Sequence, residues 1–150
     1  KNVASFLANL GEVVKENKAA TAGQLIRQLN PKIVGWAMYH RHICAKRTFG
    51  KVDHAIFKTL WQWCVRRHPD KGKRWIARKY FTTVVGANGG NQWAFFGEVI
   101  RADGESRRVA VSIASGVRIC RHIKIRSDVN PYALLWTAYL DRRHNRTGDR

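Results

Sequence analysis

LNPKIVGWAMYHRHICAKRTFGKVDHAIFKTLWQWCVRRHPDKGKRWIARKYF, residues 29–81, decides the fold of this 150-residue chain. It holds four of the six histidines and four of the six tryptophans. Residues 36–81 within it carry 12 of the 28 Lys and Arg residues against Asp53 and Asp70 alone, a net +10 of the chain's +18. Tryptophan needs a core or a stacking partner, whereas Lys and Arg need water or an anion. A segment dense in both must sort them onto opposite faces, and helical spacing does so. Val52, Ile56, Leu60 and Trp63 form one stripe, with Phe57, Trp61 and Cys64 beside it. Lys51, His54, Lys58, Gln62 and Arg66 form the opposite stripe of a helix starting near Thr48. Upstream, Asn30 as N-cap and Pro31 at the first helical position predict another helix. Its inner stripe would be Trp36, Tyr39, His40 and Ile43.

Working outward, Val3, Phe6, Leu7, Leu10, Val13 and Val14 predict an amphipathic helix over residues 2–17. Thr21 and Gln24 have capping-box spacing and open a short helix with Leu25, Ile26 and Leu29 inward. Pro31 is expected to break that helix and start a new axis. Downstream, Pro69 and Gly72 punctuate the basic turn from Arg66 to Arg74, and a short helix is expected from Trp75 to Phe81.

The pattern changes at Thr82. Gly86, Gly89 and Gly90 mark a polar loop, Trp93 to Ile100 a strand, and Asp103-Gly104 a hairpin turn. Val109, Val111 and Ile113 alternate as a second strand, and residues 118–126 read as a third extended segment. Asn130-Pro131 is expected to open a last helix that packs Leu134, Leu135, Ala138 and Tyr139. The fold class is therefore a mostly α-helical bundle (residues 1–81) followed by a small α+β lobe (residues 82–150) with a few antiparallel strands.

Hydrophobic residues make up 45% of the chain, enough for a core, so the charge does not belong to a disordered basic tail. No apolar run approaches the roughly 20 residues of a membrane span, and a nucleic acid fits the charge better than a membrane. Cys44, Cys64 and Cys120 are odd in number and dispersed, as in a reducing compartment: bacterial cytoplasm or an organelle interior. His40 and His42, two apart on a helix, diverge, and no Cys or carboxylate completes a tetrahedral metal set with them or His122. The ten acids form no close set for two-metal phosphoryl transfer, and adjacent Asp53 and His54 diverge on their helix. Core packing is the expected role of Trp36, Trp61 and Trp63. Trp75, beside Lys73 and Arg74, is the expected exception that contacts nucleic acid.

The runs LNPKIVGWAMYHRH and KRTFGKVDHAIFKTLWQWCVRRHPDKGKRWIARKYF resemble the maturase-specific domain of group II intron reverse transcriptases. Residues 2–30 are similar to the helix-rich lead-in of that domain, and NQWAFF, ICRHIKIRSDVNPY and LLWTAYLDRR to the DNA-binding region that follows it. The resemblance implies residues 1–81 as a thumb-like helical domain and 82–150 as a small DNA- or RNA-binding extension. It implies partners as well: group II intron RNA, a template–primer or target DNA, and reverse transcriptase fingers and palm, in cis or on a separate chain. It implies roles in RNA splicing and retrohoming of a mobile element. The family's Tyr-x-Asp-Asp polymerase tetrad does not occur here, and the chain stops before any His-Asn-His nuclease domain. No cofactor is therefore expected in this chain, with Mg2+ at the polymerase site of other domains. The alternatives are a general structural RNA-binding protein, or part of an active RNA-directed DNA polymerase with its catalytic domains elsewhere.

The expected nucleic-acid contacts are Arg41, His42, Lys46, Arg47, Lys51, Lys58, Arg66, Arg67, Lys71, Lys73, Arg74, Trp75, Arg78 and Lys79. A weaker set is Arg118, Arg121, Lys124 and Arg126. No catalytic residue and no metal ligand is expected.

Overall fold

A computed structural model of the chain describes residues 2–43, 46–85, 91–100, 104–120 and 124–148. Arg121, His122, Cys44, Asp103 and the three loop glycines lie outside the described residues. The elements run α1 (Asn2–Glu16), α2 (Ala22–His40), α3 (Lys46–Arg67), α4 (Lys73–Tyr80), β1 (Phe81–Val85), β2 (Asn91–Ile100), β3 (Ser106–Ala110) and α5 (Thr137–Gly148). One 3-10 turn at Ala114–Gly116 follows β3, and another at Leu134–Trp136 precedes α5. The helical segment followed by a small α+β lobe is the architecture expected from the sequence.

α1 forms where its spacing predicts. At the start of α2, Thr21 Oγ1 accepts from Gln24 N at 3.3 Å and Gln24 Oε1 accepts from Thr21 N at 3.0 Å, completing the capping box. Pro31 does not break the chain there: α2 runs continuously through it. A proline inside a helix costs about 3 kcal/mol. Buried Leu25, Ile26 and Leu29 precede it and Ile33 and Ala37 follow it on one stripe. Fully burying a Leu or Ile stabilises by about 1.5–3 kcal/mol, so continuity of that stripe outweighs the lost hydrogen bond. Tyr39 and Ile43, placed inward by the sequence pattern, are exposed: Tyr39 lies in the last turn of α2, past its last buried residue Ala37, and Ile43 lies beyond the helix end at His40.

Asn30 is accordingly not an N-cap. Its Nδ2 donates to the Ala110 carbonyl at 3.0 Å and its Oδ1 accepts from Ser112 N at 2.8 Å. This side chain ties the segment leaving β3 to α2; β3 ends at Ala110, short of the alternation through Val111 and Ile113, although Val111 N still donates to the Phe95 carbonyl at 2.8 Å.

β1, β2 and β3 form an antiparallel sheet with β2 central. β1 replaces the expected end of the short helix and the start of the loop. Thr82, Thr83, Val84 and Val85 are all β-branched, which favours extended backbone as soon as α4 closes at Tyr80. α2 meets β2 backbone to backbone at Gly23 and Gly97. A Cβ on Gly97 would lie 2.6 Å from the Ala22 carbonyl carbon, and one on Gly23 2.6 Å from Val99 Cγ2. Glycine is required there by close approach.

A single core joins the helices to the sheet: Leu10, Val14, Leu25, Ile33, Phe49, Val52, Leu60, Trp63, Tyr80 and Phe81 pack with Phe95 and Ala114. Tyr80 stacks on Phe95 (5.8 Å between centroids), and Trp63 meets both rings edge-on. Asp53, from α3, accepts from the backbone N–H groups of Ala114 (2.7 Å) and Ser115 (2.9 Å), capping the first 3-10 turn.

Past residue 117 the sequence expectations diverge more. No strand occurs among the described residues of 118–126, where Cys120 N donates to the Arg41 carbonyl at 3.0 Å. Asn130 Oδ1 accepts from Tyr132 N at 3.0 Å, an Asx turn rather than a helix start. Leu134 and Leu135 do not pack: they are 92% and 85% exposed.

Candidate nucleic-acid interface

α3 is amphipathic with the expected boundary between faces. Phe49, Val52, Ile56, Leu60, Trp63 and Cys64 are buried. On the far side Arg47, Lys51, Lys58 and Arg66 are exposed and have no hydrogen-bond or ion-pair partner among the described residues. At 100° per residue, Lys51, Lys58 and Arg66 fall within an arc of about 80°, with steps of about 10 and 12 Å along the axis. They form a cationic ridge flanked by two hollows. On one flank Thr59, Trp63, Arg66 and Arg67 of α3 face Gly11, Val14, Lys15 and Lys18 across a cavity of about 300 Å³. On the other, Phe57, Lys58 and Trp61 face Lys73, Arg74 and Ala77 of α4 and Trp93 of β2 across a groove of about 700 Å³.

α4 continues the positive surface. Its buried side is Ile76 and Tyr80, leaving Lys73, Arg74 and Arg78 in water. Trp75 lies outside the core, as expected from its basic neighbours, but it is not an isolated ring. Lys79 Nζ sits 4.6 Å and Lys71 Nζ 5.7 Å from its centroid, and the His68 ring meets it edge-on at 4.9 Å. His68 Nε2 also contacts the Tyr80 hydroxyl at 2.7 Å. Desolvation holds His68 below the ordinary histidine pKa, with Lys79, Arg67 and Lys71 acting in the same direction. Burial pushes the neighbouring Tyr80 phenol above its ordinary value. Burial also drives the Cys64 thiol up to about 12, so at neutral pH this cysteine is a protonated apolar core residue.

Several expected contacts have structural partners. Arg67 Nη1 donates to the carbonyls of Lys18 (3.2 Å) and Ala20 (2.7 Å), with its guanidinium 5.0 Å from the Trp63 ring centroid. It ties the turn after α1 to α3. Lys46 Nζ donates to the Ser115 carbonyl, and His42 Nδ1 lies 3.2 Å from the Cys120 carbonyl. Arg41 Nη1 reaches Met38 Sδ at 3.8 Å. Arg126 pairs with Asp128 at 3.3 Å and lies over Trp136. Arg118 and Lys124 are exposed, away from the α3 ridge in sequence. The structure thus gathers Arg47, Lys51, Lys58, Arg66, Lys73, Arg74 and Arg78 as uncommitted cations of α3 and α4.

Of the tryptophans, Trp63 is buried and Trp36 stacks on Phe6 at 4.8 Å. Trp61 is half-buried, packed on Phe57 and Phe81 while its outer edge lines the α3–α4 groove. Trp93, absent from the expected site, completes that groove from the sheet. Its exposure could not be read from its place in a strand whose neighbour Phe95 is buried.

Among the described residues no group of three or more His, Cys, Asp and Glu side chains could hold a metal ion. Among the same residues no helix is long and apolar enough to cross a membrane. The chain is thus a helical domain with an apolar side closed by a small sheet and a cationic side left open, a charge distribution suited to a polyanion. The family profile of the group II intron, maturase-specific domain matches residues 3–81, more than half of the chain. The chain belongs to that family, which carries a maturase function on group II introns and binds intron RNA. Comparison with curated proteins gives no significant match.

Proposed function

We propose that the α3 ridge and the outer face of α4 are where this maturase domain holds RNA. Lys51, Lys58 and Arg66, with Arg47 at one end and Lys73, Arg74 and Arg78 alongside, track phosphates of the intron and keep it in a splicing-competent fold. The carrying observation is that these cations have no hydrogen-bond or ion-pair partner among the described residues, while the opposite side of α3 is buried. The mechanism is electrostatic and positional, through counterion release and a rigid helical surface. The same face serves as a thumb that grips template and primer for a reverse transcriptase whose fingers and palm are supplied elsewhere, with Mg2+ at that polymerase site. Retrohoming then draws on both roles, inside a bacterial cell or an organelle. Arg118, Lys124 and Arg126 add weaker contacts to RNA or target DNA.

Competition binding tests this function. A group II intron RNA should displace a labelled intron fragment at lower concentration than an unrelated folded RNA of equal length. Equal displacement by both would make the chain a general RNA-binding protein. Primer extension with this chain alone should give no DNA, and synthesis would overturn the assignment of polymerase chemistry to other domains.

A further inference from the structure

The groove between α3, α4 and β2 combines features that a phosphate-tracking ridge does not require. Its floor is aromatic. Phe57 and Trp61 are near-parallel at 6.0 Å, Phe81 lies 5.2 Å and 5.4 Å from them, and Trp93 stacks on Phe81 at 6.0 Å with 18° between planes. Trp93 is 57% exposed, so this array ends in a large ring open to solvent rather than in the core. Lys58 of α3 and Lys73 and Arg74 of α4 line the same groove, and among the described residues no carboxylate does.

We propose that this groove is a stacking site for unpaired nucleotides, in which a splayed base lies on Trp93 and its flanking phosphates meet Lys58, Lys73 and Arg74. The proposal rests on the RNA-binding function above and narrows its ligand to single-stranded segments. A paired base in an A-form helix presents only its edge in a groove, whereas an unpaired base can offer its face to an aromatic ring. Base–aromatic stacking tolerates any sequence because every base has a π-face. The flanking cations and the chain's net charge of +18 favour a polyanion over an apolar peptide as the occupant. Trp93 lies outside residues 3–81, so the site is composite: the family-matched helices supply cations and two rings, and the following strand supplies the exposed one.

The test compares Trp93→Ala and Trp93→Phe with the wild-type chain on two probes, a single-stranded oligouridylate and a blunt RNA duplex of equal length. Trp93→Ala should weaken binding of the single strand by about 5- to 150-fold and leave duplex binding unchanged. Trp93→Phe should restore most of the loss, and both variants should melt with the wild type. Equal weakening on both probes, or no weakening on either, overturns the stacking site while leaving the ridge intact. Unchanged affinities together with altered self-association in sedimentation would reassign the groove to a protein interface. Failure of the wild-type chain to bind either probe would remove the RNA-binding face itself.

Discussion

Replacing Lys51, Lys58 and Arg66 together with Gln separates a phosphate-binding ridge from a scaffold. The three side chains are exposed and make no hydrogen bond or ion pair with the described residues, so the triple variant loses no such interaction. Exposed substitutions of this kind usually change stability by no more than about 0.5 kcal/mol each. Binding should respond differently. Each phosphate contact contributes about 0.7–0.9 to the slope of log affinity against log salt, so three lost contacts reduce the slope by about 2–3. Between 50 and 200 mM salt, the affinity loss of the variant should then be about 20- to 40-fold smaller than that of the wild type. Fluorescence anisotropy with intron RNA at four or more salt concentrations, with thermal melts of the same preparations, measures both quantities. An unchanged slope with a lowered melting temperature would show that the ridge is scaffold and refute the reasoning.

Gly97→Ala should destabilise the fold by at least about 1–3 kcal/mol in urea denaturation, because its new methyl lands on the Ala22 backbone, which cannot rotate away. A neutral result would mean that α2 and β2 do not approach closely at Gly23 and Gly97. Asp53→Ala strands two backbone donors and should cost about 1.5–3 kcal/mol in the same assay, with Asp53→Asn less severe and the RNA salt slope unaltered in both. A changed slope with intact stability would instead tie Asp53 to RNA binding. His68 should titrate below 6.5 by NMR. Its unfolded form takes up a proton near pH 6.5 that the folded form resists, so this residue's contribution to stability is present above that pH and falls as pH drops toward the folded pKa. A His68 midpoint at or above 6.5 contradicts the packing described for Trp75, Lys79 and Tyr80.

Much of the helical half was legible because its signals were local. The wheel of α3 separates Val52, Ile56, Leu60 and Trp63 from Lys51, Lys58 and Arg66, and burial follows it. The same wheel places Arg67 on the core side, about 160° from Lys51. Arg67's engagement with Trp63 and the Lys18 and Ala20 carbonyls was therefore readable, and charge alone obscured it. Pro31 misled because propensity weighs a residue singly, while the stripe from Leu25 to Ala37 acts collectively. β1 was missed although Thr82 to Val85 are all β-branched, since the glycines that follow drew the whole segment into a loop. The roles of Asn30 and Asp53 were beyond sequence reasoning, because each bonds backbone more than 60 residues away. Trp93 joins the candidate site for the same reason: its neighbours Phe81, Lys73 and Trp61 meet it only after the sheet folds back on α3 and α4.

Lysine footprinting on the complex tests the binding face most directly. Amine-reactive labelling of the wild-type chain, free and saturated with group II intron RNA, reports each lysine by mass spectrometry. Lys51, Lys58 and Lys73 should be protected by RNA, while Lys32, held by Asn9 between α1 and α2, should label equally in both states. Protection of Lys32 with Lys51 and Lys58 left fully reactive would place the RNA on another face and contradict the interface described for α3 and α4.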